Sequence, residues 1–311
     1  MRFTLKQLEY FLAAADAGSI TIAAARARIS QPSISAAISS LEAEFGVNLF
    51  VRNPAQGIVL TVAGQRLMRE VRDIITRMGG LYTVANELSS VVQGPLSIGC
   101  LVTVAPVILP SLLGPFQSAH SAVQLTFADL DHAEIIRRLR LAQIDVALTY
   151  DMQLPKDIRF TTLANLRPHV VVARDHPLAQ QEEVRIDELA QFSYIMLDLP
   201  LSREYFLSVF EQGGVAPNIT HVSKSLEVVR SLVANGYGAT ILTILPRCEI
   251  ALDGHALVNI PLAGDVSPLP LGMVTLDQGA GTPAVRAFEQ YCLDRFKEGV
   301  PGMRTPCDGG A

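Results

Sequence analysis

The chain has 311 residues, of which 49% are hydrophobic and 18% charged. That is enough apolar material for two or more packed domains, and it excludes a disordered chain. The net charge is −5, but residues 1–90 carry nine Lys or Arg against seven Asp or Glu; a nucleic-acid binder needs basicity only where it touches its partner, so that role stays open.

The chain opens on a helical pattern, with Leu5, Leu8, Phe11, Leu12 and Ala15 as its inner face and Lys6 and Gln7 outside, within reach of phosphate or simply solvated. Glu9 interrupts the apolar stretch, so the segment does not read as a signal peptide. Ser19 can cap a second helix containing Ile22, Ala23, Ala24, Ala25 and Ala27. After a short turn, Ser30 caps a third helix that Gly46 stops, with Pro32 in its first turn. Ile34, Ile38, Leu41 and Phe45 give this helix an apolar face. Its opposite face carries Ser33, Ser35, Ser39 and Ser40, small hydroxyls in place of the usual Lys and Glu. Two short helices across a tight turn describe a helix-turn-helix. The runs 48–52 and 57–60, separated by a turn, read as a hairpin wing.

From Thr61 a long helix follows. Leu67, Val71, Ile74, Met78, Leu81, Ala85 and Leu88 repeat at fours and threes, a heptad seam that predicts dimerisation, with packing on the chain's own C-terminal part as the alternative. Gln93-Gly94-Pro95 marks a domain boundary. Beyond it, strand patterns at 96–101, 123–127 and 144–150 alternate with helical patterns at 104–118 and 132–142, which argues for a parallel sheet. A second such unit begins at His169 and continues through a strand at 194–197, helices from Ser202 and Ser225, and a strand at 238–242. Gly236 and Gly238 suggest a tight helix-to-strand turn. A late strand at 269–275 and a last helix at 283–296 precede a tail expected to be flexible.

The ordered set Leu8-Glu9-Tyr10-Phe11, Gly18-Ser19-Ile20, Ala23-Ala24-Ala25, Ser30-Gln31-Pro32-Ser33-Ile34-Ser35, Leu41-Glu42, Gly46-Val47-Asn48-Leu49-Phe50, Arg52 and Leu60-Thr61-Val62-Ala63-Gly64 resembles the winged helix-turn-helix of LysR-type transcriptional regulators. The likeness extends over nearly the whole chain. It implies an N-terminal all-α winged helix-turn-helix with a long linker helix, followed by a C-terminal α/β, two-lobed, periplasmic-binding-protein-like effector domain. The expected boundaries are 1–61 for the DNA-binding domain, 62–92 for the linker, 93–300 for the effector domain and 301–311 for the tail. Within the effector domain, lobe I spans about 93–165 and 269–300, and lobe II about 166–268; the return of the last strand and helix to lobe I is implied by the resemblance alone. The expected function is sequence-specific binding of double-stranded promoter DNA under the control of a small-molecule effector. A homodimer or homotetramer is implied, with RNA polymerase a further candidate partner.

The recognition helix departs from the family, which often has basic residues where this chain has Ala36, Ala37, Ser39 and Ser40. Base reading then falls on Gln31, Ser33, Ser35 and Pro32, and phosphate contact on Arg28 and Arg52, with Lys6 or Arg26 as helpers; a shallow salt dependence is expected.

Ligands on α/β sheets sit beyond the carboxyl ends of strands. That rule selects Thr103, Asp131, His132 and Tyr150 in the first lobe, and Ser202, Arg203 and Ser225 in the second. Arg203 suggests a carboxylate-bearing ligand, unless it pairs with Glu204 or Asp198. The six histidines show no metal-ligand spacing, and no nucleophile set or phosphate loop is present, so no catalytic residue, cofactor or metal is expected. Cys100, Cys248, Cys292 and Cys307 read as reduced thiols of a cytoplasmic protein, with no membrane span. A solute-binding protein for transport, an enzyme on an α/β scaffold and a DNA binder with an idle cleft are the rival readings.

Overall fold

The computed structural model describes residues 3–53, 57–87, 92–277 and 281–303; for 52, 53, 73, 76, 77 and 79–87 it describes the backbone alone. The side chains of Arg52, Leu81 and Ala85, and all of Leu88 and Cys307, therefore lie outside the described residues. The chain divides into two compact units, 1–90 and 91–311.

The first unit holds α1 (Leu5–Ala17), α2 (Ile20–Ala27), α3 (Gln31–Phe45), β1 (Phe50–Asn53), β2 (Gly57–Leu60) and α4 (Val62–Glu87). Thr4 and Gln7 form a capping box at the start of α1. The buried residues of α1 are Leu8, Phe11 and Ala14, whereas Leu5 is 42% exposed. The inner face thus turns through Ala14 instead of Ala15. Between α2 and α3 the chain reverses at Arg28, which takes a left-handed φ of 54° and donates its N–H to the carbonyls of Ala24 and Ala25. Ala23 and Ala24 pack with Ile34 and Ile38 under this turn, their small size admitting the close approach. Glu42 joins the helices to the wing, its carboxylate accepting the N–H of Leu49 at 2.7 Å. The strands β1 and β2 pair antiparallel, with Phe50 opposite Leu60.

Helix α4 has 26 residues. Thr61 caps it, its hydroxyl accepting the N–H of Gly64 at 2.9 Å. A Cβ on Gly64 would collide with the carbonyl of Leu49, so a side chain there would push helix and wing apart. The expected dimer seam needs correction at its start. Val71 is buried with Leu8, Phe11, Leu41 and Leu49, and Leu67 packs on the same cluster. These two residues fill the unit's own core because α4 closes the small bundle that three short helices leave open. Ile74 is 43% exposed.

The second unit begins with β3 (Gly94–Leu101), α5 (Ala105–Ala119), β4 (Val123–Leu130), α6 (His132–Arg140), β5 (Val146–Tyr150) and β6 (Ile158–Leu166). Then come β7 (His169–Ala173), a 3-10 turn at Pro177–Gln180, α7 (Ile186–Leu189), β8 (Ser193–Leu197), α8 (Ser202–Gln212), β9 (Asn218–Ser223), α9 (Leu226–Ala234), β10 (Thr240–Leu242), β11 (Leu257–Pro261), β12 (Leu269–Leu276) and α10 (Pro283–Phe296). A five-stranded sheet has the order β4-β3-β5-β12-β6. Here β3 runs parallel to β4 and β5, but β12 runs antiparallel to β5 and β6. The three strands expected to be parallel, β3, β4 and β5, are so, and the chain returns from its second half to insert β12 antiparallel between β5 and β6, which makes the whole sheet mixed. In the second half β7 lies between β10 and β11, antiparallel to both, and β8 pairs parallel with β9. Ala239 links the two small sheets. Its N–H donates to Ser193 and its carbonyl accepts from Ile195, both at 2.8 Å. Gly238 makes the joint possible: at φ 149° its missing Cβ leaves room for the Ser193 carbonyl.

Strands β6, β9 and β11 carry no strong strand signal in the sequence. The exposed residues of β6 are polar, β9 exposes Asn218, Thr220 and His221 beside Val222, and β11 ends in Pro261. Residues 299–303 are packed where a flexible tail is expected. Met303 is buried, Gly302 sits against the Val107 carbonyl, and Arg247 Nε donates to the Met303 carbonyl at 3.2 Å.

Candidate functional site

Two sites emerge, one in each unit. The first is the exposed face of α3. Ile34, Ala37, Ile38 and Leu41 are buried, whereas Gln31, Pro32, Ser33, Ala36, Ser39 and Ser40 face outward and Ser35 is half-buried. No Lys or Arg occurs between Gln31 and Phe45. Several of the polar groups are already engaged. Gln31 Nε2 donates to Thr21 Oγ1 at 2.8 Å, and the hydroxyls of Ser30 and Ser33 lie 2.8 Å apart. Gln7 Nε2 donates to Ser40 Oγ at 3.1 Å while its Oε1 accepts the Thr4 N–H at 2.7 Å. Gln7 is thus a tie between α1 and α3, not an idle surface amide. Arg28 and Arg26 are exposed beside the turn.

The second site is a cavity in the second unit, at the carboxyl ends of strands from both of its halves. Thr103, Tyr150 and Leu269 come from the five-stranded half. Leu197, Ser202, Tyr205, Phe206, Leu226, Leu242, Thr243 and Ile244 come from the other. The enclosed space is about 20 Å³, room for roughly one water. Across it the hydroxyls of Tyr150 and Thr243 lie 3.0 Å apart, and Thr103 lines the same space. Burial pushes the Tyr150 phenol up, so it stays protonated and available as a donor.

Of the sequence-predicted residues, Thr103, Tyr150 and Ser202 meet here. Arg203, Asp131, His132 and Ser225 are not among the lining residues. The Arg203 guanidinium is held by Asp198 at 2.9 Å. That is the paired alternative, and it leaves the lining without a charged side chain. Asp131 and Ser225 cap α6 and α9, accepting the N–H groups of Glu134 and Val228. His132 is buried, its Nδ1 3.1 Å from Thr149 Oγ1. Thr103 itself caps nothing, since α5 starts after Val104 without a side-chain cap. Thr243 and Tyr205 were missed. Thr243 directly follows β10 and obeys the same strand-end rule, whereas Tyr205 lies inside α8, where no local signal marks it.

The comparisons with known proteins bear on both sites. The family description "Bacterial regulatory helix-turn-helix protein, lysR family" matches residues 5–65, and "LysR substrate binding domain" matches residues 89–297. The chain belongs to the LysR family. It is a DNA-binding transcriptional regulator whose second part is a domain for small-molecule effectors. Among solved structures it is similar to HinK, a LysR family transcriptional regulator from Pseudomonas aeruginosa, at 35% identity and a TM-score of 0.65, covering 94% of this chain and 99% of that one. The Hca operon transcriptional activator HcaR of Escherichia coli is 28% identical over 295 residues, 94% of this chain and 98% of its own length. A hydrogen peroxide-inducible genes activator of Pectobacterium carotovorum is 27% identical over 301 residues, 96% of this chain and 97% of its own length. Among the described residues no helix is long and apolar enough to cross a membrane.

The histidines give this LysR-family regulator a pH dependence. Burial pushes His132, His169 and His176 below the ordinary value of 6.5. The folded chain keeps these rings neutral where the unfolded chain would protonate them. Their contribution is therefore present above about pH 6.5 and is lost as the pH falls below it. Thermal melts should move to lower temperature as the pH drops from about 7.5 to about 5.5, and His132→Asn should flatten that slope. An unchanged slope in the variant would remove His132 from the account.

Proposed function

We propose that α3 reads DNA in the major groove through Gln31, Pro32, Ser33 and Ser35, with Arg28 and Arg52 holding the phosphates, and that the cavity at Tyr150 binds an effector whose entry separates the two halves of the second unit. The observation that carries the effector reading is the Tyr150–Thr243 contact across a space of about 20 Å³. An organic molecule there has to displace that contact, and separation of the two halves is the motion that would serve a regulator.

The effector class is a small carboxylate recognised without a cation. Helices α5 and α8 both start at the cavity with no side-chain cap, so their N-termini offer partial positive charge to an anion. Hydroxyls of Thr103, Tyr150, Ser202 and Thr243 complete the polar set. Sensing by thiols is disfavoured at Cys100 and Cys292, which burial keeps protonated. The protein acts in the cytoplasm as a regulator, not an enzyme; its relatives carry names of regulators. Its copies associate through α4 beyond Val71, with RNA polymerase as a further partner.

Three measurements test this. A thermal-shift screen of small carboxylates should find a stabilisation that rises with concentration. Thr103→Val should abolish it and Arg203→Ala should retain it; the reverse pattern would move the site to Arg203. For DNA, Arg28→Gly relieves a left-handed backbone worth about 1–2 kcal/mol while removing one phosphate contact. Urea melts should show equal or higher stability, and the slope of log K against log salt should fall in magnitude by about 0.9 for each half-site bound. An unchanged slope would remove Arg28 from the interface. For assembly, Ile74→Glu should shift the sedimenting species toward a monomer, and an unaltered profile would rule out that seam.

A further inference from the structure

Thr21 lies on α2, outside the helix that reads DNA, and neither base reading nor phosphate contact has so far given it a role. Its hydroxyl accepts from Gln31 Nε2 at 2.8 Å, and both residues are exposed. Gln31 occupies the first position of α3 and is the one long polar side chain in that helix's exposed first turns, which otherwise present Pro32, Ser33 and Ala36. The Ser33 hydroxyl is already shared with Ser30. Ser side chains contact any base, whereas a glutamine amide matches adenine in two places at once, the N7 acceptor and the N6 amino group. Base discrimination on a helix without cations therefore concentrates on Gln31.

A free glutamine side chain on an exposed helix end rotates about three bonds. Fixing it costs about 1.5–2 kcal/mol of rotamer entropy. The Thr21 contact imposes that order before DNA arrives. It consumes one amide hydrogen and leaves Oε1 and the second amide hydrogen, which is the set an adenine edge requires. The Thr21 hydroxyl can serve either orientation of the amide, donating or accepting. We propose that Thr21 is a positioning residue for DNA reading: it holds the Gln31 carboxamide in the rotamer that recognises adenine. The inference rests on α3 being the reading helix.

The experiment uses the full chain and a randomised duplex library. Wild type, Thr21→Val, Thr21→Ser, Gln31→Ala and the Thr21→Val/Gln31→Ala double variant are each put through selection, then titrated on the wild-type site with each base in turn. Gln31→Ala should flatten one adenine preference in each half-site. Thr21→Val should weaken the same preference by about fivefold to tenfold, the size of one impaired bidentate contact. Its affinity for random-sequence DNA, its salt slope and its thermal melt should match wild type. Thr21→Ser keeps the hydroxyl and should restore the preference. In the double variant the loss of the Thr21 hydroxyl should add nothing beyond Gln31→Ala.

A Thr21→Val protein that discriminates like wild type overturns the proposal, as does one whose loss is equal with and without Gln31, since Thr21 would then touch DNA itself. Base preferences untouched by Gln31→Ala overturn it while leaving α3 as the reader through its serines. A wild type that enriches no sequence sinks the reading of α3 and this inference together.

Discussion

The second unit depends on one close backbone approach, Ala239 against Ser193. The two hydrogen bonds that Ala239 makes with Ser193 and Ile195 join the β10-β7-β11 sheet to the β8-β9 pair. With the Thr240 hydroxyl, which donates to the Ile195 carbonyl at 2.8 Å, they set the ends of β8 and β10 side by side, so that Leu197, Leu242 and Thr243 share one wall of the cavity. The joint tolerates no side chain at position 238, because the space a Cβ would occupy belongs to the Ser193 carbonyl. A glycine at a sheet seam thus supports the cavity wall without being one of the residues that line it.

The DNA-binding unit solves a different problem. The helix proposed to read DNA has no cation between Gln31 and Phe45, so on that reading attraction to phosphate falls to residues outside it. What the helix offers instead is order. Gln31, Ser33 and Ser40 are each tied to a neighbour within the same unit. An ordered polar face contributes selectivity by reducing the entropy lost on contact, even where its electrostatic contribution is small. The core beneath supports this. Alanines at 23 and 24 bring α2 against Ile34 and Ile38, which places Thr21 within reach of Gln31.

The helix-turn-helix was legible because its signals are local: Ser19, Ser30 and Thr61 as caps, Gly46 as a stop, and an apolar face at helical spacing. The first half of the effector domain was legible for the same reason. Two misreadings share a cause, which is that the deciding partner is remote in sequence. Val71 turns inward onto Leu8 and Phe11, and Met303 docks under Arg247. The strand-end rule found Thr103, Tyr150 and Ser202, since it needs only a strand and the few residues just past its end. It also selected Asp131 and Ser225, which obey the same rule but spend their oxygens on capping helices. The rule selected Arg203 as well, and of its two expected roles the pairing with Asp198, five positions earlier, is the one the structure shows.

The near-absence of space at Tyr150 has a quantitative consequence for sensing. An effector that fits only an opened cleft binds a minor population of the protein. Its apparent dissociation constant is the intrinsic one divided by the fraction already open, so an open fraction of about one in a hundred raises it about a hundredfold. If the proposed site is the sensing one, the concentration at which the regulator responds is set jointly by the fit of the ligand and by the Tyr150–Thr243 contact. Substitutions in that contact would then retune the threshold while leaving the recognition of ligand chemistry untouched.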